Sequence, residues 1–183
     1  MIVAAFAGLA AAQAWAAPSQ WTVDKAASKL GFRSTFAAQP VEGTFRRWDA
    51  QISFDPKALA ASKAVVSVDM VSAATGDSGR DQALPTRDWF DAARFPRATF
   101  TTTSFKDLGG GRYQAQGVLS LRGVSRAVTL PFTLAIAGDL AKMTGVLIVN
   151  RSLFGVGQGQ FKSAETIPTD VTVNVALTAR RVR

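Results

Sequence analysis

An all-β fold of about eight antiparallel strands, either a sandwich or an up-and-down barrel with one helical excursion, is what this sequence predicts. Three observations lead there. Apolar side chains alternate with a period of two in stretch after stretch, as half-buried antiparallel strands require. Glycine-bearing turns separate several of these stretches at hairpin spacing. A single long segment, from about Ser72 to Phe95, lacks the alternation.

The strands can be taken in order. In "LGFRSTF", Leu30, Phe32, Ser34 and Phe36 share one face, and Gly31, Arg33 and Thr35 the other. In "VEGTFRRWDAQISF" the parity changes partway. Val41, Gly43 and Phe45 lie together, while Trp48, Ala50, Ile52 and Phe54 have the opposite parity. One extra residue near Arg46 and Arg47 restores both sets to one face, which predicts a β-bulge that bends the strand as barrel closure needs. "VSVDM" groups Val66, Val68 and Met70. "VTLPFTLAI" groups Val128, Leu130, Phe132, Leu134 and Ile136, with Pro131 marking an edge or a bulge because it cannot donate to a ladder. "VTVNVAL" groups Val171, Val173, Val175 and Leu177. Turns are expected at 107–112 ("DLGGGR"), 123–126 ("GVSR") and 137–141 ("AGDLA").

The non-alternating segment ends in "DWFDAARFPRATF", Asp88 to Phe100. Its first half reads as a short helical turn, and beyond Pro96 it alternates like a strand. Trp89, Phe90, Phe95 and Phe100 are a large aromatic surface for so short a stretch. They either plug one end of the fold as core or close over something that is not protein.

The chain has 183 residues, 48% hydrophobic and 19% charged, enough for one domain with a real core. Residues 1–17 stand apart. "MIVAAFAGLAAAQAWAA" carries no charge and is too short an apolar run for a membrane span. It reads as a secretory signal peptide with small residues at Ala14 and Ala16 for cleavage, leaving 18–183 as the mature domain. No Lys or Arg precedes the run, which leaves open a start further upstream. The location expected is a bacterial periplasm or exterior.

Composition excludes much chemistry. There is no Cys, hence no disulfide framework and no thiolate, and no His, the commonest general base and transition-metal ligand. With 21 basic and 13 acidic residues the net charge is +8. The basic residues are scattered, not gathered in the stripe that a nucleic-acid binder shows, so nucleic acid is not expected. A generally basic periplasmic protein is the favoured reading of this charge, and attraction to anionic lipid head groups or a pyrophosphate is the sharper one. "FGVGQGQ" at 154–160 lacks the GK[ST] of a phosphate loop and reads as a glycine-rich β-turn. Asp77 and Asp81, and Asp88 and Asp91, have spacings that helix capping explains without a metal.

Five ordered blocks carry a resemblance: "WTVDKAASKLGF", "VEGTFRRWDAQISFD", "RDWFDAARFPRATF", "GVLSLRGVSRAVTLPFTL" and "NRSLFGVG". Together they resemble the YceI family of bacterial secreted, lipocalin-like polyisoprenoid-binding proteins, over nearly all of the mature chain. The resemblance implies an antiparallel eight-stranded lipocalin-like barrel with a short helical excursion. Its interior would hold an isoprenoid lipid, a quinone, quinone precursor or polyprenyl chain, as carrier or store. The alternative is a periplasmic scaffold with a filled core that partners a membrane redox or stress-response system. No catalytic residue, cofactor or metal is implied. The other partners expected are an anionic membrane surface or a membrane cytochrome, met transiently. Parity and the resemblance together place Phe32, Phe36, Phe45, Val68, Phe100, Leu121, Phe132 and Ile148 inward against the lipid, with Trp89, Phe90 and Phe95 on a flap that closes over it.

Overall fold

A computed structural model describes residues 17–182; the signal-peptide expectation for residues 1–17 falls almost wholly outside them. The strands are β1 (Gln20–Val23), β2 (Lys29–Phe36), β3 (Gln39–Phe45), β4 (Trp48–Ser53), β5 (Lys63–Asp69) and β6 (Ala73–Ala74), followed by helix α1 (Ser78–Ala83). Then come β7 (Arg97–Gly109), β8 (Arg112–Leu121), β9 (Val124–Ala137), β10 (Leu140–Asn150) and β11 (Asp170–Arg181). All pair antiparallel. Around the ring the order is β1-β4-β5-β7-β8-β9-β10-β11, and β11 returns to β1, so eight strands close a barrel. Closure pairs every strand of that ring on both sides over at least part of its length.

One end of the barrel is fully closed and the other is modified. At the modified end β11 continues into β2, β3 and β6. There the ladder between β9 and β10 stops at Phe132 and Gly145. Before it, β9 pairs only with β8, and beyond it β10 pairs only with β11. Pro131 stands at this parting, on a strand edge as its missing N–H demands. The parting lies between the first half of β9 and the last half of β10. Residues 151–168 follow β10 at this end, and Arg126 of β9 donates from Nε to the Leu153 carbonyl at 3.0 Å.

Each predicted glycine turn is a tight hairpin. Arg122 and Gly123, both left-handed (φ 51° and 75°), link β8 to β9. Gly110 and Gly111 (φ 62° and 74°) link β7 to β8. The parity change in "VEGTFRRWDAQISF" is real, because Val41, Phe45, Trp48, Ile52 and Phe54 all face the interior. It is not a bulge within one strand, however. The chain turns a corner at Arg46 and Arg47, where the ladder is interrupted and β3 becomes β4. The neighbouring strand bends beside it at Met70–Ser72. Arg46 N–H donates to the Ser72 carbonyl (3.1 Å), Arg47 N–H to Ser72 Oγ (3.0 Å), and Arg47 pairs with Asp69 at 2.8 Å. Two adjacent strands therefore kink together and stay bonded.

The excursion lies within 72–95 as expected, but its helix precedes the stretch that begins at Asp88. Its one regular helix is α1, capped by Asp77, whose carboxylate accepts the Arg80 N–H at 2.9 Å. "DWFDAAR" forms a chain of turns, with Asp91 left-handed at φ 49°. That reversal separates the two ends of the stretch: Phe90 is turned inward, while Phe95 lies against the β8–β9 turn.

The core has two parts. At the closed end Trp21, Phe54, Tyr113, Leu130 and Phe132 gather with Ala115, Ala141 and Ala179. Phe54 meets Phe105 and Tyr113 edge-on, and Tyr113 stacks on Phe132 at 5.4 Å. Such ring pairs contribute about 0.5–1.5 kcal/mol each beyond their buried area. At the other end Met70, Phe90, Val149, Phe154 and Val156 form a second cluster, with Phe32, Phe45, Val68 and Val173 packed against it.

Candidate functional site

Between the two clusters the barrel is hollow. A cavity of about 550 Å³ runs through the interior, within the roughly 300–1,000 Å³ of small-molecule sites. Its wall is built by period-two alternation. From β2 it takes Leu30, Phe32, Ser34 and Phe36, from β5 Val66 and Val68, and from β11 Val171, Val173, Val175 and Leu177. The sequence patterns had already grouped these residues.

Glycines set the depth of the wall. Phe32 lies directly across from Gly43, and a Cβ there would stand 2.2 Å from its ring. Phe100 similarly uses the space left by Gly117, where a Cβ would be 2.6 Å away. A ring lying over a glycine on the next strand takes room from the wall and not from the hollow.

The mouth lies at the modified end. It is framed by the β2–β3 hairpin, by α1 with the turns after it, and by the segment 155–168. Phe36, at the hairpin, is 41% exposed yet lines the cavity. Trp89 and Phe161 meet at 5.1 Å across the mouth, joining the excursion to the 155–168 segment. The Asp88 carbonyl accepts from both Gly157 and Gln158 N–H, at 2.9 and 2.7 Å, which ties the same two segments.

Arg151 anchors this end. It is 3% exposed and has no carboxylate among its partners. Its guanidinium instead donates to the carbonyls of Pro168 (3.0 Å), Val156 (3.0 Å), Gly157 (3.5 Å), Ser163 (3.2 Å) and Ile167 (2.7 Å). Burial pushes its pKa below the usual arginine value. The glycine-rich "FGVGQGQ" is thus not a β-turn but a wrapping around this side chain. Gly157 is left-handed, and a Cβ on it would meet the Arg151 guanidinium at 2.2 Å. No period-two signal marks Val156, Phe161 or Ile167, so these cavity residues are not legible from strand parity.

Of the residues expected to face the ligand, Phe32, Phe36, Phe45, Val68, Trp89, Phe90, Phe100, Leu121 and Phe132 line the cavity. Two do not. Ile148 is 56% exposed on the outer face of β10, because Ala141, Met143, Leu147 and Val149 hold the inward parity. Phe95 spends its ring on the β8–β9 turn, filling the space that a Cβ on Gly123 would occupy, at 2.6 Å. Among the described residues no cluster of three or more acidic, His or Cys side chains is placed to hold a metal ion.

Comparison with known proteins gives the same architecture. Residues 21–179 match the YceI-like domain. A UPF0312 protein of Pseudomonas syringae pv. tomato is 30% identical over 138 residues, 72% of this chain and 71% of that protein. Protein YceI of Escherichia coli O157:H7 is 39% identical over 97 residues, 53% of this chain and 50% of its own length. The crystal structure of Burkholderia cenocepacia BcnA superposes with a TM-score of 0.83 at 34% identity, covering 86% of this chain and 99% of that one. A polyisoprenoid binding domain from Saccharophagus degradans shares the fold with a TM-score of 0.70 at 19% identity, covering 90% of this chain and 99% of that one.

Proposed function

The chain belongs to the YceI-like family, and from that premise we propose that it is a binding protein which holds one isoprenoid lipid tail inside its barrel, as a carrier or store in the bacterial periplasm. The observation that carries the reading is the apolar hollow of about 550 Å³ that the residues of both core clusters line. Each methylene-sized group of a tail entering it gains about 0.8 kcal/mol, so a unit of ~5 carbons gains ~4 kcal/mol before the cost of ordering. The Saccharophagus degradans domain, described as polyisoprenoid-binding, has the same fold. That likeness is one of architecture, and the wall residues supply the chemistry.

The reading needs no catalytic group, and it fits a chain that has neither His nor Cys. A signal peptide at residues 1–17 would deliver the protein to the compartment where quinones and polyprenyl lipids meet an aqueous phase. A net charge of +8 suits transient contact with an anionic membrane surface. The scaffold reading requires a filled core, and the hollow speaks against it.

Organic extraction of gently purified protein, followed by mass spectrometry, tests the proposal. A lipid with an isoprenoid tail at about one per chain is expected. Protein that is lipid-free as isolated, and that takes up no prenyl lipid offered in detergent, would overturn it.

A further inference from the structure

The cavity wall is not uniformly apolar, and one of its polar atoms is unlike the rest. Thr102 Oγ1 bonds the Ala64 backbone, donating to its carbonyl at 3.2 Å and accepting its N–H at 2.8 Å. Thr75 Oγ1 donates to Asp81 at 2.7 Å. Arg151 is saturated by backbone carbonyls. Among the described residues just two buried side-chain polar atoms find no protein partner, Arg122 Nε and Ser34 Oγ, and Ser34 alone of the two lines the cavity.

Ser34 sits on β2 between Phe32 and Phe36, paired across the ladder with Val41. All four side chains line the hollow. A buried hydroxyl without a partner is unfavourable, and apolar residues are what the neighbouring positions carry. Ser34 is the position on this face next to the exposed rim residue Phe36, about 7 Å away along the strand. The closed end below is walled by rings and aliphatic groups. Arg80, near the mouth, adds a cation to the lining.

We propose that Ser34 is the head-group recognition residue of this site. The lipid enters tail first, and an acceptor oxygen where its head joins the tail, such as a quinone carbonyl or a phosphate ester oxygen, takes the hydrogen bond that the Ser34 hydroxyl donates. This rests on the lipid-binding reading above and narrows it. The ligand class is an oxygen-bearing prenyl lipid, and a pure polyisoprenoid hydrocarbon is discriminated against.

Two probes separate the possibilities: a ubiquinone with a short prenyl tail, and squalene, which has a similar tail chemistry and no oxygen. Binding is titrated to the delipidated full chain, to Ser34→Ala and to Ser34→Thr. Ser34→Ala should bind the ubiquinone about tenfold more weakly and squalene as well as the parent or better. Ser34→Thr, which keeps the hydroxyl, should restore most of the quinone affinity. Equal losses for both probes in Ser34→Ala would make Ser34 a matter of wall shape and overturn the proposal. No change for either probe would overturn it as well. A parent that binds neither probe would remove the lipid-binding reading itself, a result distinct from both.

Discussion

A guanidinium buried without a carboxylate, as at Arg151, is held by geometry alone. Its planar fork reaches carbonyls at 156, 157, 163, 167 and 168 together, so one side chain fixes the segment that forms one side of the mouth. Removing it strands several buried acceptors, each costing about 1–3 kcal/mol. We expect Arg151→Met to lose at least about 3 kcal/mol in urea unfolding. Arg151→Lys should recover little, because an ammonium offers fewer donors from a single point. The sequence showed this residue only as one of many scattered bases. Nothing local marks an arginine whose partners are main-chain oxygens up to 17 residues away. The outward face of Ile148 is hidden in the sequence for a different reason: "VLIV" is apolar at every position, so alternation does not say which parity faces inward. Ser34 is the opposite case. Its face was legible, being flanked by Phe32 and Phe36, but its lack of a partner is a property of the folded wall.

At the scale of elements, strands written with clean alternation were legible and tight glycine turns marked their ends. The β2–β3 hairpin carries no such mark, because its turn is Ala37–Ala38, both left-handed at φ 47° and 65°, where glycine or asparagine is usual. Ala37 N–H donates to the Thr166 carbonyl at 2.9 Å, so a contact from distant sequence sustains a conformation that the local residues disfavour. Helix α1, capped by Asp77, is tied back to the preceding chain by a second acid. Asp81 accepts from Thr75 N–H (2.6 Å) and Thr75 Oγ1 (2.7 Å), and those bonds hold its pKa below the usual carboxylate value. Asp69 is lowered in the same sense, chiefly by its hydrogen bond from Arg47. A carboxyl whose folded pKa is depressed stabilises the fold above its unfolded value of about 3.9, and that contribution is lost as pH falls through the folded value. The melting temperature should therefore be flat near neutrality and fall below about pH 4. Asp81→Ala should melt lower than the parent at pH 7 and converge on it in acid. Parallel melting curves down to pH 3 would show that the Asp81 bonds do not contribute.

For the whole molecule, the feature to test is the hollow lined by both core clusters. Alternation supplied the strands, which a sandwich and a barrel share, but not the hollow, since alternation is the same for a filled barrel and an empty one. Enlarging the wall separates ligand space from protein core. Val68 and Val173 both line the cavity and pack on the second cluster, that of Met70 and Phe90. Val68→Phe with Val173→Leu should abolish co-purified lipid while the melting temperature stays near that of delipidated parent. In a filled core the same pair would overpack and cost about 1–3 kcal/mol. Retention of a full lipid complement by this double variant would place the tail elsewhere. The pairing of β1 with β11 also governs how the molecule is made. Trp21 pairs with Arg181, and Arg181 reaches Ser19, 162 residues away, so the ring is joined by its first and last strands. β11 also carries β2 and β10, which leaves three strands incomplete until it arrives. The hollow can have no sealed end while residues 170–181 are missing, and the loop to be closed is nearly the whole chain. Folding should accordingly be slow for a domain of this size, in the millisecond-to-second range of non-local β topologies. A growing chain has no barrel, and hence no enclosed hollow, until its last strand is free.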